Sequence, residues 1–324
     1  MKPISVVIPT ARQPALLECA LRSVARQTAA DQIEEVLVSE NLGDVRSREV
    51  CGRFAELPIR YVLQEPQLTA VQNYQFVMRE SRAKLIGFLC DDDWWGPGHL
   101  QAGLLALATH DAAVASFGAS FFVVSEVPSD GWMSRSAALW VAAGNPDLAE
   151  LWELSPTHVL AATWILTPFH FSSMLVQRDA ALRAMEVVKD THPYQVDRMF
   201  IAELSAAGNV LYEPLADSFI RWRENNATLS TLRSERELQF RRCTEAVAEM
   251  ARKRGVDVAA QWHGSLGDGN PEVFREVAAS FRRAMDERTL ARLGFSRFLL
   301  PKFPVRAMSR VARLSKAMMD RVTA

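Results

Sequence analysis

The stretch that decides the fold is KLIGFLCDDDWW, residues 84–95. Leu85-Ile86-Gly87-Phe88-Leu89 is a short apolar run, of the length and character of a strand buried on both faces of a parallel sheet. It stops at three consecutive acids, Asp91, Asp92 and Asp93, followed by Trp94, Trp95 and the turn-forming Gly96-Pro97-Gly98. Adjacent carboxylates repel one another, and at the end of a hydrophobic strand they are poorly solvated, so a bound cation relieves both penalties. Carboxylate oxygens are the donors that Mg²⁺ and Mn²⁺ prefer, and such sites often complete their coordination with substrate phosphates. Taken alone, the triplet is equally readable as a solvated acidic turn that ends the strand. The flanking sequence favours the cation.

Upstream, Ile4-Ser5-Val6-Val7-Ile8-Pro9 reads as a first buried strand, and Pro14 opens a helix in which Leu17, Leu21 and Val24 recur at helical spacing. Glu35 to Ser39 is a second strand, ending in Glu40-Asn41-Leu42-Gly43-Asp44. A short helix, a strand from Ile59 to Leu63 and a helix from about Leu68 to Arg82 lead to the acidic strand end. Strands alternating with helices at this spacing predict an α/β fold with a mostly parallel central sheet and right-handed crossovers. In such sheets ligands bind beyond the carboxyl ends of the strands. Thr10, Arg12, Glu40, Asn41 and Asp91 to Asp93 all fall there, and one crevice collects them.

Downstream, Ala112 to Val124 suits one or two strands, and Trp132 to Thr167 reads as loops and short helices over the crevice. Ser172 to Gln177 is another strand. Val196, Met199, Phe200 and Leu204 mark a helix face ending at Gly208-Asn209. Val210-Leu211-Tyr212 and Ser218-Phe219-Ile220 read as two short strands about a Glu213-Pro214 turn. From Ser234 the pattern is helical, with one helix from Glu235 to Arg254 closed by Gly255. The segment from Arg288 to Ala324 carries nine Lys/Arg against one acid, Asp320.

A hydrophobic fraction of 49% and a formal net charge of −1 over 324 residues are those of an ordinary globular protein and give no field for nucleic acid. Cys19, Cys51, Cys90 and Cys243 are far apart with no CxxC pair, so spacing suggests neither a zinc site nor a disulfide framework. They fit reduced thiols in a cytoplasmic protein. Strand-like sequence begins by Ile4, with no leader pattern before it. No apolar run reaches the roughly 18–20 residues that span a bilayer. The expected location is cytoplasmic, with the basic end able to lie on the inner membrane surface.

The opening SVVIPTARQPALLECALRSVARQT, the VLVSENLGD segment, the QNYQFVM helix and the FLCDDDWW strand end resemble, in that order, the inverting glycosyltransferases of family 2. The resemblance implies a GT-A fold, a nucleotide-binding α/β sandwich, with residues 1–110 as the donor half and 111–232 as the acceptor half. Residues 233–324 would form a helical C-terminal extension. It also implies transfer of a sugar from a UDP- or dTDP-linked donor to a saccharide or glycolipid acceptor, as in surface polysaccharide synthesis. By the same resemblance Pro9, Thr10 and Arg12 line the nucleotide pocket, Glu40 bonds the base or ribose, and Asn73 lies near the diphosphate. Asp91 falls towards the ribose, while Asp92, with Asp93 beside it, holds Mn²⁺ or Mg²⁺. Asp197, in HPYQVDRMF, stands at the position of the acidic base.

Each role has a physical reason. Breaking the sugar–phosphate bond leaves an extra negative charge on the nucleoside diphosphate, which a divalent cation takes up. Single-displacement inversion needs a carboxylate on the far side of the sugar to accept the hydroxyl's proton; read without the family, Asp197 is simply an acid favoured by a helix N-terminus. Family members often place a metal-binding histidine where Arg223 stands here. An arginine cannot ligate a metal but can hold diphosphate bidentately, so Arg221 or Arg223 would supplement or replace the cation. Trp95 and His170 are candidates for the acceptor side, against the ordinary alternative of core packing. The basic residues 288–324 either lie on anionic lipid or pack on the domain or on a second copy, giving a homodimer. Two competing functions are a non-catalytic nucleotide-sugar-binding protein on the same fold and a sugar nucleotidyltransferase; PTARQP lacks the glycines of the latter's phosphate loop.

Overall fold

The computed structural model describes residues 3–124, 127–129, 150–165, 167–189, 195–221, 233–258 and 260–261. The chain builds β1 (Ile4–Thr10), α1 (Pro14–Ala25), β2 (Ile33–Glu40), α2 (Val45–Gly52), β3 (Ile59–Leu63), α3 (Ala70–Glu80), β4 (Leu85–Phe88), β5 (Trp94–Trp95) and α4 (His99–Thr109). It continues with β6 (Ala113–Val124), β7 (Val127–Ser129), β8 (Trp152–Leu154), α5 (Pro156–Ile165), β9 (Met174–Gln177), α6 (Arg178–Val187), α7 (Val196–Leu204), β10 (Asn209–Arg221) and α8 (Arg233–Lys253).

The strands form one sheet in the order β3-β2-β1-β4-β9-β6-β10-β5, with β7 on β6 and β8 on β10. The first four are parallel. The expectation of a mostly parallel sheet is corrected beyond them: β9 runs antiparallel to both β4 and β6, while β6 and β10 are parallel. With β5, β7 and β8 also antiparallel to their neighbours, the sheet is mixed. The reversal follows from the route of the chain, because β9 enters between β4 and β6 from a turn at the mouth of the sheet instead of through a crossover helix.

Alternate strand residues feed two hydrophobic layers, which is why these strands read as unbroken apolar runs. Ile4, Val6, Ile8, Val36, Val38, Leu85 and Leu175 pack with α1, α2 and α4. Val7, Leu37, Ile86, Phe88, Met174 and Val176 pack with α3 and with α5 to α8. The α3 helix starts at a full capping box, Thr69 with Gln72.

Three further expectations change. The two short strands about Glu213-Pro214 are one strand, β10, whose register with β6 shifts between Glu213 and Ser218. Gly118 faces that shift: a Cβ there would lie 1.7 Å from the Ala216 carbonyl oxygen, so the close approach requires glycine. The described part of the stretch from Trp132 to Thr167 is not a crevice cover. Val159, Leu160, Ala161, Ala162 and Trp164 of α5 are core, as a helix apolar on all sides must be. Finally, α8 joins that core through Cys243, Val247 and Ala251, and it ends at Gly255 with φ +69°.

Arg198 ties these helices together. It is fully buried, donates to the last-turn carbonyls of α5 at Thr163 (2.5 Å) and Trp164, and reaches Thr244 Oγ1 of α8 at 2.7 Å. Its guanidinium lies 4.7 Å from the Phe240 ring centroid. A cation at helix-terminal carbonyls is favoured by the dipole, and it fixes the start of α7, where Asp197 sits.

Among the described residues no helix is long and apolar enough to cross a membrane. Arg223, His192, Trp132, Trp140, the proposed boundary at 232 and the basic segment 288–324 lie outside the described residues.

Candidate active site

The mouth lies at the carboxyl ends of β1, β2 and β4. Thr10 is buried, and its hydroxyl donates to Asp91 Oδ2 at 2.6 Å, with the Ala11 N–H adding a longer bond at 3.4 Å. Arg12 takes φ 55°, a left-handed conformation costing about 1–3 kcal/mol outside glycine. The bend points its N–H at Glu40 Oε1 (3.1 Å), which also accepts from Leu42 N (2.9 Å). Glu40 is fully buried, yet its Oε2 has no hydrogen-bond partner. A buried, unpartnered carboxylate oxygen is expensive unless a ligand donor completes it. Beneath, Asn73 is buried and accepts the Ser39 hydroxyl at 2.6 Å, bracing α3 to β2.

The acidic turn is held by a short 3₁₀ turn, Phe171–Ser173, which precedes β9. Ser172 is its hub. The hydroxyl donates to Asp93 Oδ2 (2.5 Å) and accepts from Cys90 N (3.0 Å), while its carbonyl accepts the Trp95 indole N–H (2.5 Å). Arg221 N donates to Asp93 Oδ1 at 2.9 Å. Asp93 is therefore a buried acid with a bond to each oxygen; burial, followed by Asp92, holds its carboxyl well above the usual range. Burial and the same acids also push the Cys90 thiol up. The Arg221 guanidinium lies over Trp94 (4.8 Å) and donates to the Asp92 carbonyl (3.2 Å).

A divalent cation fits this mouth by donor chemistry. Among the described residues Cys90, Asp93 and His170 bring donor atoms within 4.8 Å of one another, with Asp93 buried and the other two half-buried.

Asp197, in the first turn of α7, is linked to the acidic turn by a chain of aromatic contacts. Tyr74 of α3 meets Phe171 at 5.5 Å between ring centroids, and Phe171 meets Phe200 of α7 at 5.2 Å. Phe200 shares a helix face with Asp197 at i, i+3, and Phe171 is the neighbour of Ser172. The Tyr74 phenol is raised well above its usual value, first by burial and then by Cys90, Asp92, Asp91 and Asp197. Both acidic groups thus act on one phenol.

Thr10, Arg12, Glu40, Asp91, Asp92, Asp93, Arg221 and His170 share this mouth, and Asp197 is connected to it through the Tyr74, Phe171 and Phe200 rings. His170 sits 3.5 Å from Asp93, within the acidic turn. Trp95 is corrected: at 3% exposure, stacked on His99 and bonded to Ser172, it is core, and Trp94 is the partner left near the surface. Sequence reading missed Ser172 and Tyr74. Ser172 looked like the start of a strand, and only two adjacent serines before an apolar run could have hinted at a polar hub.

Residues 5–174, more than half of the chain, match the family described as Glycosyl transferase family 2. The chain belongs to this family. The family 2 chain is 36% identical over 109 residues to validoxylamine A glucosyltransferase of Streptomyces hygroscopicus subsp. limoneus, covering 32% of itself and 24% of that relative. It thus spans about a quarter of the length of that curated relative. Its fold is similar to crystal structures of S. aureus TarS 1-349. The complex with UDP-GlcNAc gives a TM-score of 0.56 at 12% identity, covering 94% of this chain and 95% of that one. The complex with UDP gives 0.54, with 94% of each chain covered.

Proposed function

We propose that the chain transfers a sugar, with inversion, from a UDP- or dTDP-linked donor to a hydroxyl of a saccharide or glycolipid. The observation that supports this is the chain of ring contacts Tyr74–Phe171–Phe200, which links α3 and the turn that holds the acids to the helix that carries Asp197. Glu40 Oε2 is an acceptor suited to the imide N–H of uracil or thymine, and the UDP-GlcNAc and UDP complexes of TarS support a UDP-linked donor.

Each group then has one task. Glu40, held by Arg12 and Leu42, receives the base; Asp91, held by Thr10, faces the ribose; Arg221 lies beside the departing diphosphate. Asp197 accepts the proton of the attacking hydroxyl. A divalent cation, when bound through Asp92 and its neighbours, supplies charge neutralisation at the leaving group. The basic segment 288–324 would keep the enzyme at an anionic membrane where a lipid-linked acceptor lies.

The test is a thermal-shift panel of nucleotide sugars with and without Mn²⁺, followed by product analysis with the stabilising donor. UDP or dTDP sugars should raise the melting temperature, and Asp197→Asn should bind the nucleotide yet form no product. Product formed by Asp197→Asn at the wild-type rate would overturn the assignment.

A further inference from the structure

We propose that Cys90, Asp93 and His170 form a site for a thiophilic divalent ion of the zinc class, beside the position expected for a hard cation at Asp92. One sulfur, one oxygen and one nitrogen donor converge within 4.8 Å. Asp93 Oδ2 and His170 Nδ1 are 3.5 Å apart. That is close to the edge, about 3.3 Å, of a tetrahedron with zinc-to-ligand legs of about 2.0–2.1 Å.

His170 Nδ1 accepts the Ser172 N–H at 3.2 Å, so this nitrogen carries no proton, and its one lone pair is a donor that an ion can take over from that long bond. Cys90 decides which cation: thiolate with imidazole selects Zn²⁺ or Co²⁺ over Mg²⁺ and Mn²⁺.

The site is reachable, because Cys90 and His170 are half-buried although Asp93 is not exposed. Binding converts the Cys90 thiol to thiolate and releases its proton to solvent. Asp93 keeps the bonds from the Ser172 hydroxyl and Arg221 N–H, since each carboxylate oxygen has a second lone pair; only the long Ser172 N–H bond to His170 is given up. Three protein ligands leave the fourth position to water or a phosphate oxygen. The site stands on the cluster's geometry alone, so its failure would leave the transferase reading intact.

The experiment titrates the metal-free protein with Co²⁺ and then Zn²⁺. Co²⁺ should give a sulfur-to-cobalt charge-transfer band with the visible bands of a tetrahedral site, and Zn²⁺ should erase both while about one proton is released per ion. Cys90→Ser should abolish the band and weaken Zn²⁺ by at least about 100-fold, beyond the loss typical of an outer-shell partner. His170→Gln, which keeps an acceptor for the Ser172 N–H, should weaken it comparably and serves if the first variant fails to fold. A band that survives in Cys90→Ser, or is lost instead in Cys19→Ser at the exposed thiol, would overturn the site. So would a sulfur-free octahedral spectrum in the wild-type protein.

Discussion

Glu35 and Glu40 lie on the same strand, β2, and both are buried, yet the chain treats them in opposite ways. Glu35, at the amino end, accepts from Ser5 Oγ (2.7 Å), Arg82 N (2.7 Å) and Arg60 Nε (2.9 Å), and both oxygens are occupied. Burial alone would raise its carboxyl, but the Ser5 hydroxyl, the Arg82 N–H and Arg60 together bring it below the usual range. Glu40, at the carboxyl end, has one oxygen bonded and the other with no partner. The floor of the sheet is neutralised by the chain itself, whereas at the mouth one carboxylate oxygen, Glu40 Oε2, is left for a partner from outside. Charge at the floor is about stability and charge at the mouth is about ligands, and variants at each end should separate the two.

The largest effect belongs to the mouth. Asp197→Asn should lower kcat by about 10²–10⁴-fold, the range for a lost general base, with nucleotide affinity and melting temperature nearly unchanged. Steady-state kinetics beside calorimetry with UDP reads both. The floor should give the reverse. Glu35→Ala leaves Ser5, the Arg82 N–H and Arg60 without their acceptor and should cost about 3 kcal/mol of stability in urea denaturation, while the folded fraction still binds nucleotide. The sign with pH follows from the lowered pKa. The contribution of Glu35 is fully present above the unfolded value of 4.5 and is lost as pH falls through the folded value, so the gap between Glu35→Gln and wild type should narrow only in acid.

This contrast also marks what the sequence could tell. The parallel half was legible because strand, helix and strand end repeat with a period that burial on both faces imposes, and because Asp91 to Asp93 interrupt an apolar run. The reversal at β9 was not, since three apolar residues and a glutamine read alike in either direction. At the site, Glu40 and the acids were visible as charges at strand ends. Ser172, which joins Cys90, Asp93 and Trp95, was invisible because its partners lie about eighty residues away and a serine carries no periodic signal. Cys90 and His170 fit no metal spacing in the sequence, and only the folded turn brings them together.

Glu40→Gln sharpens the comparison. The amide can keep its oxygen towards Arg12 and Leu42, so stability should move by less than about 1 kcal/mol, but it then turns an N–H outward where an acceptor was. Nucleotide affinity should fall by at least about tenfold, the loss of one hydrogen bond to a charged group. Isothermal titration with UDP measures this. Unchanged affinity would mean that the open oxygen faces no ligand, and the mouth would lose its distinction from the floor.

The smallest effect tests whether every buried or half-buried acid must belong to one class or the other. Asp217, on the irregular part of β10, has its carbonyl bonded to Gly96 N and to His99 Nδ1, but burial pushes its carboxyl up to about 6. His99 is no counter-ion, since burial drives it down to about 4 and leaves it neutral. Between the unfolded value of 3.8 and about 6 the folded protein holds a proton that the unfolded chain releases, so this group lowers stability as pH rises through that window. Asp217→Asn should therefore stabilise the protein at pH 7 by on the order of 1 kcal/mol, and the gain should vanish as pH approaches about 4. Urea midpoints of the two proteins across this range decide it. A loss of stability at pH 7 would show that the carboxylate has a partner of the floor kind. A pH-dependent gain would show an acid that neither the chain nor a ligand completes, carried as a cost of the bend that β10 makes around Gly118.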